Sequence, residues 1–142
     1  VPLADIRPAL RAFLLANPTV TAAVGGERIF PVVMPQGERR TSLVINTISE
    51  TTDHHTQGSS GMVMARCQLD VYAPNPDDAD TLARAVKLRI DGFAGLMPYG
   101  ENSPQDSVQV QGIFSETART DYQAEPELVR VSRDFLIWYA EK

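Results

Sequence analysis

The chain has 142 residues, a formal net charge of -5, 43% hydrophobic residues and 22% charged residues. These are the values of one ordinary folded domain, so a disordered chain is excluded. The acidic balance and the lack of a Lys/Arg cluster argue against a grip on nucleic-acid phosphates, Arg39-Arg40 being the only adjacent basic pair. No apolar run reaches transmembrane length. Val1-Pro2-Leu3-Ala4-Asp5 lacks the basic and apolar regions of a secretion signal, so synthesis and assembly in a cytoplasm is the expectation.

Leu3, Ile6, Leu10, Phe13 and Leu14 recur at helical spacing and predict a first helix. Pro8 places its start near Asp5 or bends it, and Asn17-Pro18 stops it. Residues 19–26 are short and ambiguous, at most one helical turn before Gly25-Gly26. Residues 27–37 hold two prolines, which keep the segment extended but exclude a central strand. Residues 42–49 are rich in Leu, Val, Ile and Thr and predict a first core strand. Residues 51–60 are polar and Gly/Ser-rich and predict a loop, mobile until a partner orders it.

The next stretch is the most regular. Val63, Ala65, Cys67, Leu69 and Val71 alternate with Met62, Met64, Arg66, Gln68, Asp70 and Tyr72, the pattern of a long strand with one buried face. Asn75 then caps a second helix, with Pro76 at its first position and Asp77 and Asp78 at its positive end. Its apolar stripe is Ala79, Leu82, Ala83, Val86, Ile90 and Phe93, and Gly92 or Gly95 ends it. Residues 96–106 read as a Pro/Gly/Asn loop. Val108, Val110 and Phe114 predict a third strand with a bulge at Gly112. Residues 120–126 read as a turn. Residues 128–139 form the last strand, with Val129, Val131, Phe135, Ile137 and Tyr139 on one face, Arg133 interrupting, and Leu136 and Trp138 on the other.

The expected fold is therefore α+β: a mostly antiparallel sheet of about four strands, two helices on one face, in the order α-β-β-α-β-β. The sheet's second face would carry Met62, Met64, Tyr72, Leu136 and Trp138. That much apolar surface favours cover by another subunit.

Nothing in the chain reads as a catalytic or metal site. Asp53-His54-His55 is the only cluster of that kind, and adjacent residues of an extended chain point apart. With one cysteine, no third histidine and dispersed carboxylates, a solvated loop is favoured over a zinc site, and spacing alone does not exclude a spatial Ser-His-Asp triad. Neither a Gly-X-Ser-X-Gly elbow nor a phosphate-binding glycine loop occurs. Asp77-Asp78 is explained by the helix start, and Glu125 and Glu127 flank Pro126 in a turn. Cys67 allows no intrachain disulfide and reads as a small buried group. No enzyme, metal or cofactor is expected.

Several ordered segments carry a family pattern. They are Arg28-Ile29-Phe30-Pro31, then Pro35-Gln36-Gly37, then the strand from Leu43 and the loop at Gly58. Gln68-Leu69-Asp70-Val71-Tyr72-Ala73, the helix from Ala79 to Phe93, and Arg133-Asp134-Phe135-Leu136-Ile137-Trp138-Tyr139 complete it. Over nearly its whole length the chain resembles the tail completion or tail terminator proteins of long-tailed phages and phage-like gene transfer agents. Residues 97–107 are a longer insertion than that pattern has.

The resemblance implies a single domain over residues 1–142 and a structural virion protein in the neck of the tail. It implies a homohexameric ring at the head-proximal end of the tail tube. Such a ring ends tube polymerisation and meets the head connector or stopper, while DNA passes through without specific binding. No catalytic residue carries over. Segments 30–37 and 51–60 are the implied contact regions. Together with the apolar sheet face they nominate Phe30, Pro31, Gln36, His54, His55, Gln57, Met62, Met64 and Trp138 as subunit or partner contacts. The competing readings are another neck or tail component (a head–tail adaptor or tube subunit), or a small ligand-binding or enzymatic domain using residues 53–55.

Overall fold

The computed structural model describes residues 6–99, 107–123 and 128–140. Three helices occur among them, α1 (Arg7–Leu15), α2 (Pro18–Val24) and α3 (Pro76–Ile90). The strands are β1 (Ile29–Pro31), β2 (Ser42–His55), β3 (Gly58–Ala73), β4 (Gly95–Pro98), β5 (Ser107–Gln123) and β6 (Leu128–Ala140). They form one curled half-barrel sheet in the order β1-β2-β3-β6-β5-β4. Only β1, beside β2, pairs in parallel; every other neighbour is antiparallel.

The expected four-strand, two-helix architecture is thus corrected to a mixed six-stranded sheet with three helices. Asn17-Pro18 does end α1, but the same pair starts α2: the Asn17 side chain accepts from the Val20 N–H at 3.1 Å and Pro18 takes the first turn. β1 is the extended proline segment, at the sheet margin where a proline is tolerated. β4 occupies part of the expected loop after α3. The expected loop at 51–60 is the end of a β2–β3 hairpin, turning at Thr56 and Gln57 with His55 opposite Gly58. Its strands are Thr-rich, and threonine suits a strand without supplying an apolar alternation. The expected turn at 120–126 begins later, since β5 continues to Gln123. Residues 124–126, the Glu125 and Glu127 pair, and 100–106 of the long insertion lie outside the described residues.

The parts read from periodicity hold. Val63, Ala65, Cys67, Leu69 and Val71 are buried. The Asn75 side chain accepts from the Asp78 N–H at 2.9 Å, and Gly92 follows the last turn of α3 with φ 80°. The β5–β6 register slips between Val110 and Gly112, at the expected bulge.

One hydrophobic core lies between the helices and the inner sheet face. It joins Ile6, Leu10 and Leu14 of the α1 region, Leu82, Val86 and Ile90 of α3, and Leu69, Phe135, Ile137 and Tyr139 of the sheet. Arginines tie its margins to backbone carbonyls. Arg28 donates to Val24 O at 2.6 Å and Thr41 O at 2.9 Å, closing the exposed end of α2. Arg89 donates to Phe13 O at 3.1 Å and lies 3.6 Å above the Phe13 ring, joining α3 to α1.

Candidate functional site: the outer sheet face

The three helices of the described residues lie on one side of the sheet, so among these residues the outer face of β3, β6 and β5 has no helical layer. Its register is set by Met64 opposite Trp138, Arg66 opposite Leu136, and Asp70 opposite Ser132. On the next strand, Gly112 lies opposite Trp138 and Phe114 opposite Leu136. The face therefore has an apolar end and a polar end, with the Arg66–Glu116 ion pair spanning β6 near the boundary.

At the apolar end, Met62, Gly112, Phe114 and Trp138 line a groove of about 260 Å³. Phe114 is 53% exposed. Gly112 creates the space for it: a Cβ there would come within 3.0 Å of the Phe114 ring. The sequence signal for Phe114 was its place two residues after a bulge glycine. The sequence places it on a strand but carries no signal for its exposed position.

The polar end is more tightly built. Asp70 is buried and accepts from Ser132 Oγ at 2.6 Å and from Gln68 Nε2 at 2.8 Å. Asp121 and Arg130 form a two-pronged pair at 2.6 and 3.0 Å, and hydrogen bonding to Arg130 holds the Asp121 carboxyl below its ordinary range. Asp134 Oδ1 is buried with no hydrogen-bond partner among the described residues; so is Nε of Arg133, which belongs to the other face, opposite Leu69. The connection from β1 to β2 crosses this end, because parallel neighbours cannot be joined by a tight turn. Val32, Val33 and Met34 meet Val44, Asn46, Asp70 and Tyr72 around a cavity of about 230 Å³. Val32 sits at φ 69°, a strained conformation for a β-branched residue, held by its N–H on Ile45 O at 2.9 Å.

Of the nominated contact residues, Met62, Met64 and Trp138 come together on the apolar end. Phe30 and Pro31 lie on β1, and Gln36 is exposed in the crossing connection. Gln57 is exposed at the hairpin turn beside His54 and His55, whose backbones end β2. These three groups are separate in the fold. Among the described residues no set of three His, Cys, Asp or Glu side chains could hold a metal, and no helix is long and apolar enough to cross a membrane.

The chain matches the family model described as Tail completion protein gp17 over residues 8–140. No curated protein sequence matches it. Its fold is similar to a chain of a solved structure, the virion of a native gene transfer agent particle. The TM-score is 0.70 at 16% identity, covering 95% of this chain and 94% of that one.

Proposed function

This chain belongs to the tail completion protein gp17 family, and we propose that it is a structural protein of a phage-type tail that closes the head-proximal end of the tail tube. The family match over residues 8–140 carries the reading. In it, copies of the chain form a ring, most simply of six, whose one rim meets the tube and whose other meets the head connector. DNA passes through without specific binding, in keeping with the acidic balance of the chain. The protein acts by contact and not by catalysis. Its contact surfaces are the apolar end of the outer face, around Met64 and Trp138, the hairpin tip around Gln57, and the 30–37 segment.

A capping ring needs one surface that fits the polymer and another that does not propagate it. The fold supplies distinct surfaces: the outer face, the hairpin tip and the helical side are built from different elements. The test is particle production without this gene. The expected result is tails of uncontrolled length and heads lacking tails, both corrected by the intact gene. Normal-length tails joined to heads in its absence would overturn the reading.

A further inference from the structure

The sheet has four marginal segments, and the chain treats them in two ways. β1 covers β2 only at Leu43–Ile45, and Val32 N–H extends that cover by its bond to Ile45 O. β4 covers β5 only at Ser107–Val110, and the end of α3 extends it. There, Gly92 N–H bonds to Ile113 O at 2.8 Å and Asp91 accepts from Ser115 N–H at 2.9 Å. Both short covering strands end in proline, at Pro31 and Pro98. Proline is one of the devices that stop a sheet edge from pairing further. Beyond these covers, β2 from residue 46 to 55 and β5 from residue 116 to 123 have a strand on one side only among the described residues, their outer edges being open. Neither stretch contains a proline or a lysine.

The two open stretches lie at opposite ends of the sheet. Across the strands, Thr51 is level with Met64, Trp138 and Gly112, whereas Thr120 is level with Val131, Val71 and Leu43. The offset is eight residues along either strand, roughly 25 Å at ~3.3 Å per residue. β2 and β5 also run in opposite directions.

We infer that these stretches are the two halves of a joint between copies of this chain, the open part of β5 of one copy pairing antiparallel with the open part of β2 of the next. The inference rests on the proposed assembly of copies into a ring and names its subunit contact. The covers form a step on each border, so two copies fit as a half-lap, with β1 of one copy below the incoming β5. One register that keeps each face of the sheet continuous puts Thr52 opposite Ala118 and Thr51 opposite Arg119. In that register Arg119, the one basic residue of its stretch, faces Thr51, while Glu116 and Asp121 of the same stretch are paired within the copy to Arg66 and Arg130. Because β2 joins β5 and never itself, the contact is head-to-tail and can close by rotation.

The test is disulfide trapping of the full chain at high concentration. Cys67 is buried and stays as it is. Thr52→Cys combined with Ala118→Cys should give a ladder of covalent multimers on mild oxidation, while each single variant gives dimers at most. Adding Thr51→Lys should cut the ladder at least tenfold while circular dichroism shows an unchanged fold. A double variant that yields no more than the single variants, or a ladder indifferent to the lysine, overturns the joint. Tail length restored in the particle assay by a protein whose double variant gives no ladder would overturn the joint and leave the tail reading standing. Uncontrolled tail length unaffected by the intact gene would overturn the tail reading itself.

Discussion

Along β3, the residues facing the helices differ from those facing away in how they are covered. Val63, Ala65, Cys67, Leu69 and Val71 are at most 2% exposed. Met62, Met64, Arg66, Gln68 and Tyr72 alternate with them and stay half-buried. The inner face is finished by helices of the same chain. The outer face is finished only at its polar end, by the crossing segment 32–34 and the Asp70 network. The same backbone therefore carries one face specified by folding and another whose apolar end has no cover among the described residues.

The sharpest way to probe this contrast uses two residues of β6 on opposite faces. Phe135 is fully buried in the core. Phe135→Ala should cost about 3–5 kcal/mol of stability in urea unfolding. Trp138→Ala should cost less than half as much, because its side chain is only half-buried, yet reduce assembly onto tails more than any loss of folded protein explains. Equal destabilisation by the two would place Trp138 in the core and erase the distinction.

A smaller effect belongs to the polar end. Asp70→Ala removes the acceptor for Ser132 Oγ and Gln68 Nε2 and leaves a buried hydroxyl without its partner, a loss of about 1–3 kcal/mol. Asp70→Asn, which keeps an acceptor, should recover part of it. An unchanged urea midpoint in Asp70→Ala would mean that the polar end is held by the crossing segment alone.

The smallest effect lies in the connection between β1 and β2. Hydrogen bonds from Arg40, at 2.9 and 3.0 Å, lower the Glu38 carboxyl to about 2. A depressed carboxyl stabilises the fold above its unfolded value of 4.5, and that contribution is lost as pH falls towards about 2. An NMR titration should show Glu38 ionised throughout pH 3–5, and Arg40→Gln should return its midpoint to the ordinary carboxylate range. A midpoint unmoved by Arg40→Gln would assign the shift to something other than that pair.

What the sequence made legible was whatever buried one side of an element. The β3 alternation and the α3 stripe with its Asn75-Pro76 start are readable because core burial imposes a period on them. The elements that escaped have no such period. The 51–60 hairpin end is polar on both faces, β1 and β4 are three and four residues long, and α2 hid because one Asn-Pro pair serves as a stop and a start. Met62, Met64 and Trp138 could be placed on one face by counting. Phe114 could not, because the register slip between Val110 and Gly112 moves it to the face opposite Val108 and Val110.

The unlike borders of the sheet also bear on symmetry. If β2 of one copy can meet only β5 of another, no two-fold axis relates neighbouring copies at that joint. An assembly closed through it is cyclic, with a direction around its circumference and two rims made of different residues. One rim can then be shaped for a repeating tube and the other for a single junction, with no second gene product needed to tell the ends apart.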